Sequence, residues 1–263
     1  MTGSTTHSNS WGAEFIGSPY YVNRDIDNYL YNHLDLNVFF ACGNSGSNGM
    51  MSISQEATAK NIIAIGSSES TFDSQNIDYV AYYSSQGPAY DKRIKPELVS
   101  PGDALESALS NGDGGPTCGT VTMSGTSMAS PGAAGLAALA KEYFERSDLW
   151  ESACNKKYKF CQSYKISGVL TKALLLHSGT KMTVLNDGDN NQILGDPPDN
   201  IQGWGRISLL NILSLKSLND YDLFIDDLVQ VSSQNKVVYN VQIQSTQQNM
   251  PLVVTISWYD APG

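Results

Sequence analysis

The sequence predicts an α/β protein, with a parallel sheet covered by helices on both faces and a short antiparallel β region after it. Three observations lead there. Unbroken apolar segments follow a helical pattern, in "LNVFFACGNSG" (36–46) and "NIIAIGSSES" (61–70). Strands without polar alternation are buried on both faces, as in parallel sheets. A helix of small residues, "MASPGAAGLAALAKEYFE" (128–145), can lie very close on such a sheet. From about residue 219 the apolar residues recur with period two, which indicates antiparallel strands.

The start of the chain, "MTGSTTHSNSWG", reads as a polar leader without the basic start and apolar run of a signal peptide. "DIDNYLYNHL" (25–34) puts Ile26, Tyr29, Leu30, His33 and Leu34 on one helical face. The two apolar strands follow. Residues 84–102, "SSQGPAYDKRIKPELVSPG", are dense in Gly and Pro and read mostly as loop. The small-residue helix comes next, with Pro131 placed in its first turn, where a missing N–H costs nothing. "SGVLTKALLLHSG" (167–179) is another apolar helix, and "NIQGWGRISLLNILSL" (200–215) closes this part. Beyond it, "KVVYNVQIQ" alternates Val237, Tyr239, Val241 and Ile243, and "PLVVTISW" alternates Leu252, Val254, Ile256 and Trp258. The chain therefore divides into residues 1–218 and 219–263.

With 41% hydrophobic and 16% charged residues among 263, the chain can bury a sizeable core. Sixteen basic against 26 acidic residues give a net charge of −10. No Lys/Arg cluster marks a nucleic-acid binder, and no apolar run approaches the roughly 18 residues of a membrane span. The four cysteines permit disulfides without establishing them. Cys154 and Cys161 flank a short loop and are the more natural pair. Cys42 lies in an apolar strand and reads as a buried thiol. No zinc-type Cys/His spacing occurs.

Ser127 stands between a turn glycine and the small-residue helix, in "GTSMASP" (125–131). A serine in that place is most often an N-cap. A nucleophilic serine needs a base within reach and donors aimed at the oxyanion, and a helix start supplies such donors. Asn44, just past an apolar strand, carries an uncharged NH₂ donor where sites in open α/β sheets lie, although Asn is also a common turn residue.

"GTSMASP" resembles the active-serine signature of the subtilisin-like serine proteases. Five further segments are similar to that family in its order: "HSNSWG" and "ACGNSG" to its two cleft walls, "SSQGPAYDKRIKPELVSPG" to the stretch before the serine, "QGWGRISL" to the close of the catalytic domain, and "ISWYDAPG" to a strand of a following β-sandwich. The resemblance implies a partial subtilisin-like peptidase domain over 1–218 and the beginning of a truncated antiparallel β-sandwich over 219–263. It implies a serine endopeptidase acting through an acyl-enzyme, with Ser127 as nucleophile. Asn44 and the Ser127 N–H would hold the oxyanion. Ser10, Trp11, Gly12, Ala41, Cys42 and Gly43 would line a cleft for a polypeptide substrate. The chemistry requires no cofactor. Structural calcium occurs in the family, but no clear motif here supports it, and the Asp/Asn cluster at 187–200 reads first as a polar loop. A secreted or lumenal location follows from the resemblance only.

The family's Asp and His motifs, of the type D-[ST]-G and H-G-T-H, stand before the first cleft wall and occur nowhere in this chain. The three histidines read structurally: His7 in the polar start, His33 and His177 at helix ends. The base and its Asp are thus expected in an upstream segment of the same protein, and this chain alone is expected to be inactive. A non-catalytic peptide- or partner-binding protein and a piece of a larger multidomain protein are the alternatives. The α/β-hydrolase elbow G-x-S-x-G, with Asp148 and His177 as partners, fits less well, because its last glycine is Ala129.

Overall fold

The apolar runs form the middle of a seven-stranded sheet. The computed structural model describes residues 3–13, 21–71, 76–110, 112, 118–153, 161–213, 223–241 and 252–262. In chain order the elements are β1 (Thr6–Asn9), α1 (Tyr21–Tyr31), β2 (Asn37–Ala41), β3 (Ile63–Ser68), β4 (Tyr79–Val80), β5 (Leu98–Pro101), β6 (Leu105–Ala108), β7 (Thr120–Met123), α2 (Thr126–Glu145), α3 (Trp150–Ala153), α4 (Gly168–His177), β8 (Val184–Leu185) and β9 (Gln192–Ile193). Strands β1, β2, β3 and β5 pair in parallel. β4 joins β3 antiparallel and β8 in parallel, and β9 pairs antiparallel with β8. β6 and β7 make a separate two-stranded antiparallel ribbon.

Both faces of the sheet are covered, because successive strand residues point to opposite sides. Val38, Phe40 and Cys42 pack with Leu30 of α1, together with Ile62 and Ala64. Phe39, Ile63 and Ile65 face the other way, onto Ala129, Ala133 and Ala137 of α2 and Leu175 of α4. The alanines recur every fourth residue and form one narrow stripe along α2, which brings its backbone close to the strands. α4 is capped by Ser167, whose Oγ accepts the N–H of Leu170 at 2.9 Å.

The structure corrects several local expectations. Within the polar start, residues 6–9 are strand β1, in register with β2 from Thr6↔Asn37 to Asn9↔Phe40. Its side chains show no apolar period because backbone pairing holds it, helped by Asn9 Nδ2 donating to Phe39 O at 3.2 Å. The inward face of α1 is Asn23, Ile26, Asp27 and Leu30, whereas Tyr29 and Leu34 are exposed. Asp27 turns inward because its carboxylate accepts the N–H groups of Lys60 and Asn61 at 3.1 and 2.9 Å. Tyr29 stacks instead on His33 at 4.0 Å.

The stretch 84–102 ends in the buried strand β5, and Lys95 before it is fully buried. Lys95 Nζ bonds Glu97 Oε1 at 2.6 Å and Ala59 O at 2.7 Å, and burial pulls its pKa down to about 8. Against β5 lies the "QGWGRISL" segment, with Val99 N donating to Gly205 O at 2.9 Å and Ile207 N to Val99 O at 3.0 Å. The approach is so close that a Cβ on Gly203 would stand 2.3 Å from Pro96 O.

Pro131 is the sixth residue of α2, which begins at Thr126, so it sits in the second turn rather than the first. Cys42 is a free, fully buried thiol, and Cys118 is free and exposed. Cys161 is disulfide-bonded, while Cys154 lies outside the described residues. Residues 223–241 and 252–262 form no strand among the described residues, although the period-two segments fall there; 242–251 lie outside the description. Strand pairing needs partner strands to cover the alternating apolar face, and Val238, Val241, Val254 and Ile256 are all exposed.

Candidate active site

Parallel strands β1 and β2 end side by side at Asn9 and Ala41, and the residues that follow each strand meet the N-terminus of α2. Ligands in open α/β sheets gather at this kind of place, outside the carboxyl ends of the strands. α2 is preceded by Gly125, at φ 151°, a conformation that side chains rarely adopt. Gly125 has no side chain to cap the helix. Asn44 does so from the β2 side: its Oδ1 accepts Thr126 N at 2.9 Å and Thr126 Oγ1 at 2.9 Å. Gly43 N donates to the same Thr126 hydroxyl at 3.3 Å.

The Thr126 N–H requires an oxygen, and this fixes the orientation of the Asn44 amide. Nδ2 is therefore the outward group, 3.3 Å from where a Gly125 Cβ would stand. Asn44 is exposed. Among the described residues neither Asn44 Nδ2 nor the backbone N–H of Ser127 has an acceptor. Ser127, the second residue of α2, is half-buried and donates its Oγ to Ser10 O at 3.2 Å. Ser10 Oγ in turn donates to Ser127 O at 2.7 Å. Two unengaged donors thus stand beside one hydroxyl at a positive helix end, an arrangement suited to a developing oxyanion.

The other residues singled out in the sequence line the two sides of this point. Trp11 is 57% exposed and meets Phe40 edge-on at 5.3 Å. Gly12 passes so close to Ser54 that a Cβ would stand 2.8 Å from its Oγ. Ala41 and Cys42 are buried, so only their backbone can face a bound chain. Burial pushes the Cys42 thiol up to about 12, which keeps it protonated and inert. Gly43 turns the chain out of β2 at φ 110°.

No described histidine bonds Ser127. His7 Nδ1 lies 3.3 Å from Asn9 Nδ2 and is exposed. His33 Nδ1 bonds Tyr29 O at 2.7 Å, and His177 Nδ1 bonds Thr255 Oγ1 at 2.9 Å. Asp148 is engaged by Arg146 at 2.6 Å, so the elbow-type triad does not assemble from these hydrogen bonds. Thr126, which ties the helix start to Gly43 and Asn44 after β2, carried no signal in sequence beyond its place in the motif. Among the described residues no group of three His, Cys, Asp or Glu could hold a metal ion. In the 187–200 cluster, Asp199 Oδ1 accepts the N–H groups of Ile201 and Gln202 at 2.7 and 2.9 Å, as a turn residue does. No described helix is long and apolar enough to cross a membrane.

Comparison with known proteins agrees with this arrangement of strands and helices. A curated relative, "Serine protease/ABC transporter B family protein tagD" of Dictyostelium discoideum, is 23% identical over 82% of this chain, which spans 16% of that protein. Among solved structures, the prenylagaramide maturation protease PagA matches with TM-score 0.55 at 20% identity, covering 80% of this chain and 61% of that one. Sphericase matches with TM-score 0.54 at 24% identity, covering 78% and 56% respectively. The sequence profile of the subtilase family matches residues 3–205, well over half of the chain, and the protein belongs to that family.

Proposed function

We propose that Ser127 is the nucleophile of a serine endopeptidase, and that Asn44 Nδ2 and the Ser127 N–H hold the oxyanion. The observation that carries this reading is the cap on α2. Asn44 gives its oxygen to Thr126 N, and among the described residues its NH₂ has no acceptor beside Ser127. A polypeptide substrate would lie between residues 10–12 and 41–44, with its scissile carbonyl over the helix start. Attack by Oγ gives a tetrahedral intermediate whose negative oxygen meets donors already in place. Loss of the amine leaves an acyl-enzyme, which water hydrolyses.

The proton from Oγ needs a base. Ser127 Oγ rests on Ser10 O and on no imidazole. We assign the base and its orienting Asp to a segment of the protein upstream of these residues. No cofactor is needed for this chemistry, and the family points to a secreted or lumenal setting.

Labelling with a serine-directed fluorophosphonate, followed by mapping of the modified residue, tests the assignment. The 263-residue chain alone is expected to stay unlabelled. With the Asp- and His-bearing segment restored, Ser127 is expected to react. In that assembly Asn44→Ala should lower kcat by roughly 10²–10³, the loss known for a subtilisin oxyanion asparagine, and leave KM nearly unchanged. A change in KM alone would remove Asn44 from the oxyanion role. Absence of labelling in both forms would favour a chain that binds peptides without cleaving them.

A further inference from the structure

α2 carries Pro131 at its sixth position. In an α-helix the N–H of each residue bonds the carbonyl four residues back. Residue 131 is therefore the intrahelical donor to the carbonyl of Ser127, and proline has no N–H to give. That carbonyl is nevertheless satisfied. Ser10, just after β1, donates its hydroxyl to it at 2.7 Å. The Ser127 hydroxyl donates to the carbonyl of Ser10 at 3.2 Å. The two serines stand 117 positions apart in the chain and hold each other through both side chain and backbone.

We infer that Ser10 is a positioning residue for Ser127: its hydroxyl supplies the hydrogen bond that Pro131 withholds, and this fixes the backbone of the nucleophile against β1. The inference rests on Ser127 being the nucleophile of the proposed reaction. Its physical content is local. The first turn of α2 holds Ser127 N–H and Oγ, and both must meet the same carbonyl of a substrate. A shift of about 1 Å in such a group can cost on the order of 10²-fold in rate. Asn44 ties Thr126 from the β2 side, and Ser8 Oγ lies 3.3 Å from Ser130 Oγ along the β1 side. Between these ties, the carbonyl of Ser127 is held by Ser10. The same contact keeps Ser127 Oγ on Ser10 O until a base takes its proton.

A double-mutant cycle read by thermal unfolding of the 263-residue chain tests the bond without reference to activity. Ser10→Ala is expected to lower Tm by about 2–4 °C, the shift of one side-chain hydrogen bond in a chain of this size. In the Pro131→Ala background residue 131 regains an N–H, and Ser10→Ala should then shift Tm by less than about 1 °C. Equal shifts in the two backgrounds would overturn the inference.

The positioning role is read from fluorophosphonate labelling with the base-bearing segment present. Ser10→Ala should lower the maximal labelling rate about 10-fold, leave the half-saturating probe concentration unchanged, and be rescued by Ser10→Thr. Coupling in the thermal cycle with an unchanged maximal rate would reduce Ser10 to a structural cap and overturn the positioning role. No labelling of Ser127 in the unmutated assembly would overturn the nucleophile reading and this inference with it. That outcome is distinguishable, because the thermal cycle does not depend on it.

Discussion

The sheet under α2 and the segment 223–262 are both rich in apolar residues, and they use them in opposite ways. Phe39, Ile63, Ile65 and Leu98 are 0–1% exposed, whereas Val231, Val238, Val241, Val254 and Ile256 are 64–74% exposed. In the first region the apolar residues of β2 and β3 pack either into the cluster with Leu30 of α1 or onto the alanine stripe of α2. In the second, among the described residues, short anchors around Ile225 and Tyr259 make the contact, beside the bond from Thr255 to His177. Ile225 is buried beside Ile212 and Leu213, next to Asp227, whose carboxylate bonds Ser167 N at 2.8 Å and Ser167 Oγ at 2.5 Å. Tyr259 enters the cluster of Leu30 and Val38, and its hydroxyl donates to Leu36 O at 2.8 Å. Asn61 pairs with the backbone of Asp260 through both side-chain groups, at 2.9 and 2.8 Å. Apolar sequence stabilises a region only where another element covers it.

Truncation mutants measure how deep that difference runs. Phe39→Ala should be the most damaging, at about 3–5 kcal/mol, because rigid strands and α2 cannot close the cavity. Its readout is the denaturant midpoint of the 263-residue chain. A loss under about 1 kcal/mol would mean the sheet is not the stable centre. Tyr259→Ala should cost less, about 2–3 kcal/mol, because the segment it anchors can relax away from the surface. Limited proteolysis should then cut first within 223–262, and cleavage beginning in the sheet would contradict the anchor.

Acid provides a gentler probe of the second region. Burial holds the pKa of His177 below its ordinary value of 6.5. The unfolded chain therefore takes up this proton before the folded chain does. The stability contribution is intact above 6.5 and is lost as pH falls through the lower folded value. Protonation also disturbs the bond between His177 and Thr255. Tm of the unmutated chain should fall more steeply below pH 6.5 than that of His177→Asn. Parallel curves would show that His177 plays no part in holding the segment. The smallest effect is expected from Val238→Ala and Val254→Ala, each within about ±0.5 kcal/mol, since neither side chain is covered. A loss of 2 kcal/mol or more, on the order of a core deletion, would mean that these residues meet a partner surface.

The legibility of the molecule follows the same division. β2 and β3 were readable because their burial on both faces removes polar alternation, and α2 because close packing demands small residues. β1 was not, since a strand held to β2 by backbone pairing needs no apolar side chains. Lys95 looked like a loop residue; only the carbonyl of Ala59 and the carboxylate of Glu97, both brought in by the fold, make its burial tolerable. The face of α1 was misread for the same kind of reason, because the backbone N–H groups that recruit Asp27 lie more than thirty residues away.

By itself the sequence determined the family, the parallel sheet with its two helical layers, and the positions of Ser127 and Asn44. These depend on local patterns: apolar runs, a small-residue helix and short motifs around a turn. The tertiary structure alone decided how those positions work together. It set Asn44 as the cap of a helix 82 residues away, left its NH₂ without an acceptor among the described residues, and placed Ser10 on the carbonyl that Pro131 cannot serve. It also decided which residues of 223–262 are anchors. The physical reason is that a hydrogen bond or a buried contact needs both of its partners, and here the second partner is always distant in the chain.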